Sequence, residues 1–273
     1  SRSNSNGKVV IPSCPSFKKE KVMAIKKAEA PLHIEAAKQG RVKFVLLGQT
    51  PLYYNAMSAK AKRSLLIGGG KKTAAEKKDI KHNPEEEFND SVYRMITGET
   101  LLGFPAPAVK GAMATAALET AGITKTSVQR LIFLPEQKIK VWGKPQLKMD
   151  VVRSADMNRT PDVRTRAFLP EWCAEVDIAF VSPTLSMHSI LALLINAGML
   201  VGIGDFRQEK GRGSYGTFTV HPDGGGDMAD RIDEIKKQGR MVQTHAMEVP
   251  EMADAETEEL YNMLQEERVK RAA

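Results

Sequence analysis

VGIGDFRQEKGRGSYGTFTV, residues Val201 to Val220, is the stretch whose reading decides the rest. It follows an apolar run with helical spacing, Ser186 to Gly198, and closes on a strand-like run, Tyr215 to Val220. Between them stand Gly202, Gly204, Gly211, Gly213 and Gly216, with Arg207, Lys210 and Arg212 interleaved. Glycine lets backbone approach backbone, or a ligand, where a Cβ would collide. Guanidinium and ammonium groups beside exposed N–H groups suit phosphate. A helix, a basic glycine loop and a closing strand thus predict an anion-binding edge. The plainer reading is a surface turn kept soluble by its charges. Dinucleotide binding is disfavoured. Gly202-Ile203-Gly204 opens a GxGxxG, but Arg207 takes the third glycine's place and the loop follows a helix, not a strand.

Working outward, RVKFVLLG (Arg41 to Gly48) reads as a strand with a glycine stop. In Gly98 to Gly122, Pro105 and Pro107 force an extended approach to a helix over 107–121. Arg130 to Pro135 reads as a strand, and the alternation from Lys138 to Val152 predicts a hairpin around Gly143-Lys144-Pro145. Glu171 to Val181 alternates as a half-buried strand. The order is β (41–48), α (107–121), β (130–142), β (172–181), α (186–198), β (215–220). That is an α+β chain with a ferredoxin-like (RRM-like) βαββαβ core. Residues 1–40 read as a basic arm, 41–220 as the core, and 221–273 as a C-terminal helical arm holding two short helices.

Two basic segments interrupt the core. Within 53–84, Lys60, Lys62, Arg63, Lys71, Lys72, Lys77, Lys78 and Lys81 face only Glu76 and Asp79. This reads as a basic insertion or as a solvated charged loop. GGGKKT is not a nucleotide-hydrolysing P-loop, because Lys72 stands where Ser or Thr belongs. The segment 153–166, with Arg153, Arg159, Arg164 and Arg166, reads as a second basic finger or a solvated loop. The 273 residues carry a formal charge of +7, which points to a polyanion, either nucleic acid or an acidic surface. Cys14 and Cys173 form no CxxC, which argues against a disulfide framework or zinc knuckle and fits a reduced, cytoplasmic setting. No apolar run approaches the roughly 20 residues that span a bilayer.

The combination resembles the repeat-associated (RAMP) superfamily of CRISPR systems, and is most similar to its backbone subunit. Three stretches carry the resemblance: the glycine loop 202–216, the helix start Phe104-Pro105-Ala106-Pro107-Ala108-Val109-Lys110-Gly111, and Val45-Leu46-Leu47-Gly48-Gln49-Thr50-Pro51-Leu52 followed by a basic insertion. A CRISPR component and a stand-alone or viral relative fit equally. The resemblance implies a palm that holds single-stranded RNA, with head-to-tail copies forming a filament; no cofactor or metal is expected. It places Lys60, Lys62, Arg63, Lys71 and Lys72 on a finger, Lys110 at the helix start, and Arg207, Lys210 and Arg212 at the glycine loop. Phe206, Tyr215 and Trp142 are candidate base platforms, or core residues.

Some relatives in that superfamily cleave RNA. A histidine is the usual general acid or base, and of five scattered ones His82, in the basic insertion, is best placed. No partner for it is visible in the sequence. The chain therefore reads as a non-catalytic RNA-binding protein, with endoribonuclease as the alternative. A structural subunit with an acidic protein partner is the third reading.

Overall fold

The computed structural model describes residues 36–68, 80–153, 160–210 and 213–272. Contacts divide the chain at Ala36, and all the elements named here lie in the unit from Ala37 onward. The first strand, β1, runs Lys38–Gly48, so it begins inside the expected arm. Phe44 and Leu46 enter the main core, while Val45 and Leu47 enter a smaller one on the other face. Burial on both faces explains why FVLL does not alternate.

β1 is the spine of the larger sheet. β9 (Cys173–Ser182) pairs antiparallel along one edge of β1, and β10 (Phe218–Pro222) along the other. β5 (Ile132–Phe133) and β6 (Lys138–Trp142) both pair with β9. β4 (Leu102–Pro105) and β3 (Tyr93–Arg94) extend the far edge. The order is β10-β1-β9-β6-β4-β3, with every pair antiparallel. Two helices pack on the face that carries Phe44 and Leu46. They are α3 (Ala106–Ala116), through Val109 and Met113, and α5 (Met187–Leu200), through Ile190 and Leu194. Ser186 caps α5 by accepting from Ser189 N at 3.1 Å.

Several expectations are corrected. The alternation at 138–152 forms two strands, but they do not pair with each other. β7 (Gln146–Arg153) leaves β6 and pairs with β8 (Pro161–Leu169), which in turn pairs with β2 (Leu52–Tyr53) in a separate three-stranded sheet. Gly143, at φ 134, makes the turn between sheets, where a Cβ would press on the Glu171 carbonyl. The loop expected at 153–166 is thus strand from Pro161 onward, with Val163 and Ala167 packed on the core. The strand expected at 130–135 is shorter: Arg130 and Leu131 end a helix, α4 (Lys125–Leu131), capped by Thr124, and only Ile132–Phe133 is strand. The helix expected to run to 121 stops at Ala116.

The C-terminal segment is not an arm. It forms three helices, α6 (Ala229–Lys236), α7 (Arg240–Glu248) and α8 (Ala255–Ala272), and folds back on the core. Ile232 and Ile235 of α6 cover Val45, Leu47, Trp142 and Cys173. The α8 helix is pinned to α2 (Pro84–Asp90) through Glu85, which accepts from Tyr261 Oη at 2.7 Å and Arg268 Nη1 at 3.0 Å. Partial burial alone would raise the Glu85 carboxyl, but the hydrogen bonds from Arg268 and Tyr261 outweigh it and bring it to about 2. A carboxylate depressed in the fold stabilises fully above its unfolded value, near 4.5. Acidification from about pH 4.5 towards 2 is therefore expected to loosen α8 first. Proton-titrated hydrogen exchange checks this, and α8 amides that stay as protected at pH 3 as at pH 6 would contradict it. Among the described residues, no helix is long and apolar enough to cross a membrane.

Candidate nucleic-acid interface

The glycine loop lies on the three-stranded sheet. Ile203 N donates to Gly216 O at 2.9 Å, Gly216 N to Pro51 O at 2.8 Å, and Asp205 N to Tyr53 O at 3.2 Å. Gly216, at φ 71, would drive a Cβ into the Ile203 carbonyl, and Gly204, at φ 92, rests on the Tyr53 backbone. Of the two roles that the sequence offers these glycines, close approach of backbone to backbone is the one their contacts require. Gly211 and Arg212 lie outside the described residues.

Cross-strand register puts one row of side chains on the face of the sheet that meets this loop. Asp150 stands opposite Arg164, Lys148 opposite Arg166, and Gln146 opposite Phe168. Arg166 is only 8% exposed, so it is not the solvent-facing phosphate ligand that the sequence suggests. Its Nη1 lies 2.9 Å from Asp205 Oδ2, an ion pair rather than an aligned hydrogen bond. Its guanidinium sits 5.0 Å from the Phe206 ring centroid. Burial pulls the Arg166 guanidinium down, while Asp205 pulls it back up. Burial likewise pushes the Asp150 carboxyl up, against the opposing pull of Lys148 and Arg166. Arg166 is thus a clamp that holds the loop to the sheet.

The aromatic candidates divide. Trp142 is buried in the smaller core and is no base platform. Phe206 and Tyr215 are half-buried, edge-on to Tyr53 at 5.3 and 4.9 Å. Phe206 is held at φ 51, a conformation that costs a non-glycine residue about 1–2 kcal/mol. The contacts with Tyr53 and Arg166 offset that cost. Arg207 is matched inside the loop by Glu209 at 2.9 Å.

The exposed charge gathers at another corner of the small sheet. α1 (Ala59–Ile67) starts there, with Ala59 N donating to Asp90 Oδ2 at 2.9 Å. Lys62 and Arg63 on it are exposed, without an acidic partner among the described residues. The chain returns at Ile80, and Lys81 bonds Asp162 at the start of β8. Asp162 stands opposite Val152, and Pro161 opposite Arg153. The return of the first basic segment at Lys81 and the strand ends that carry Arg153 and Asp162 therefore lie side by side. Arg153 and Arg164 are exposed on the same two strands. A cavity of about 510 Å³ opens at this corner, lined by Ser58, Lys81, His82, Glu87, Asp90 and Arg268 among others. Lys71, Lys72 and Arg159 lie outside the described residues, as do the side chains of Lys60 and Lys210. Lys110 is elsewhere, at the start of α3, donating to Gln129 O at 2.9 Å.

The structure also supplies what the sequence could not show for His82. Nδ1 lies 2.9 Å from Glu87 Oε1, and Nε2 3.3 Å from Asp162 Oδ1. Among the described residues, no group of three or more His, Cys, Asp or Glu is placed to hold a metal ion.

No family model matches the chain, and no curated protein matches its sequence. Solved structures do. One is a chain of the Type III-B Cmr-beta complex bound to cognate target RNA, at 10% identity and a TM-score of 0.35, covering 66% of this chain and 59% of that one. Another is Cmr6 from Pyrococcus furiosus, at 10% identity and a TM-score of 0.32, covering 68% of this chain and 98% of that one. Likenesses this coarse carry no residue-by-residue correspondence.

Proposed function

We propose that the chain binds single-stranded RNA along its phosphate backbone with little sequence selectivity, and that copies stack head to tail on the strand. The observation that carries this is the corner where α1, the return at Ile80 and the β7–β8 pair converge. Lys62, Arg63, Arg153 and Arg164 stand exposed there. Exposed cations near one end of the β7–β8 pair, without an acidic partner among the described residues, suit the path of a polyanion. The order β10-β1-β9-β6, with α3 and α5 on one face, supports a ferredoxin-like palm as the platform beneath it.

The test is anisotropy of a labelled, unstructured RNA across a salt series. Wild type should lose affinity steeply as salt rises. Lys62→Glu with Arg63→Glu should weaken binding about tenfold or more near 0.1 M salt and flatten the salt slope by about 1.4, since each phosphate contact on a single strand contributes roughly 0.7. Unchanged affinity at low and moderate salt would remove α1 from the interface. No binding by wild type would overturn the proposal in favour of an acidic protein partner.

One observation favours a second reading, RNA cleavage. The His82 ring stands between two carboxylates at the mouth of the basic corner, the arrangement of an oriented acid–base group. Gel analysis of the same RNA after long incubation, with and without magnesium, separates the two. Intact RNA is expected if the protein only binds.

A further inference from the structure

We infer that the open face of the larger sheet, centred on Phe133, is a stacking site for a base of single-stranded RNA. The inference rests on the RNA-binding proposal and adds a contact that reads bases rather than phosphates. Phe133 pairs with Ala179, while its neighbour Ile132 points into the core. Alternation therefore puts the Phe133 ring on the opposite side of the strand from Ile132, and it is 46% exposed. It lines two open hollows. One, of about 350 Å³, is walled by Ala37, Lys38, Gln39 and Val181. The other, of about 700 Å³, is walled by Pro105, Pro107, Lys110, Leu134 and Lys138 among others.

The surroundings match the charge of a nucleic-acid strand. Lys110 Nζ lies 5.6 Å from the ring centroid and donates to Gln129 O, and Lys138 Nζ donates to Arg94 O at 2.7 Å. An ammonium carries three donors, so each retains donors for a phosphate oxygen. Lys38 is exposed, without an acidic partner among the described residues. The acids nearby are Glu136, which lines the larger hollow, Asp177, which Arg41 holds at 2.6 Å, Glu175, which Lys236 holds at 2.7 Å, and Asp223, which shares a smaller hollow with the other three. A flat apolar ring flanked by ammonium groups at a solvent-open hollow is the arrangement on which a base stacks, whatever its identity.

The test compares wild type, Phe133→Ala, Phe133→Leu and Phe133→Trp, binding two labelled strands of equal length, oligouridylate and its abasic counterpart. Wild type should prefer the strand with bases. Phe133→Ala and Phe133→Leu should lose about tenfold in affinity for oligouridylate, within the roughly 5- to 100-fold typical of a stacking aromatic. Their binding to the abasic strand and their salt slope should not change, because no phosphate contact is removed. Phe133→Trp should bind oligouridylate at least as well as wild type. Phe133→Leu retains apolar cover, so an unchanged melting temperature separates lost stacking from lost folding. If wild type binds oligouridylate and Phe133→Ala binds it equally, this inference falls and the RNA-binding proposal stands. If wild type binds neither strand, both fall.

Discussion

Gln243→Leu is expected to cost about 4 kcal/mol or more of folding stability, a large part of what a domain of this kind possesses. Gln243 is fully buried on α7 and makes four hydrogen bonds, all to backbone. Its Oε1 accepts from Leu101 N at 2.8 Å and Leu102 N at 3.0 Å. Its Nε2 donates to Val141 O at 2.9 Å and Gly143 O at 3.1 Å. Leucine has similar bulk but leaves two donors and two acceptors unpaired out of reach of water. Each such group costs about 1–3 kcal/mol. Gln243→Glu should also destabilise, because a carboxylate oxygen would face the carbonyls of Val141 and Gly143. Urea unfolding measures both. A loss below about 1 kcal/mol for Gln243→Leu would mean that the edge of β4 and the turn after β6 find other partners.

Gly216→Ala should be nearly as damaging, at about 3–5 kcal/mol, for a different reason. At φ 71 an alanine is strained, and its Cβ would overlap the Ile203 carbonyl, which accepts no displacement without breaking the loop's seat on Pro51 and Tyr53. Gly224→Ala isolates the first effect. Gly224 has φ 93, but nothing lies within 4 Å of an added Cβ, so only the conformational cost of about 1–2 kcal/mol applies. Equal losses for the two variants in denaturant would show that backbone approach is not what Gly216 serves. A larger loss at Gly216 would identify close backbone approach as what seats the glycine loop on Pro51 and Tyr53.

Much of the fold was legible because local pattern reports local structure. The alternation of 172–181 and the apolar spacing of 186–198 reappear as β9 and α5 within a residue or two. The run DVRTRAFL also alternates, and it is β8, but its two arginines drew it into a loop reading. RLIFLP misled at its start only, since Thr124 caps a helix that runs through Leu131 and leaves Ile132–Phe133 as the strand. Charge was legible as composition and not as placement. Arg164 and Arg166 are two residues apart on one face of one strand, yet one is exposed and the other lies buried under Phe206 and paired with Asp205.

The amino-acid sequence by itself determined the strands and helices whose periodicity is unbroken, such as 41–48, 172–181 and 186–198, where glycines are needed, and that the chain carries a large surplus of positive charge. Periodicity and composition are local quantities, and each residue's own chemistry sets them. Tertiary structure alone decided that β7 pairs with β8 rather than β6. It also decided that His82 meets Glu87 and Asp162, that Phe133 faces solvent, and that the return at Lys81 lies beside the strand ends that carry Arg153 and Asp162. The reason is physical. Strand pairing and burial depend on which distant backbone fills the hydrogen bonds and which distant side chain excludes water, and neither is written within the segment itself.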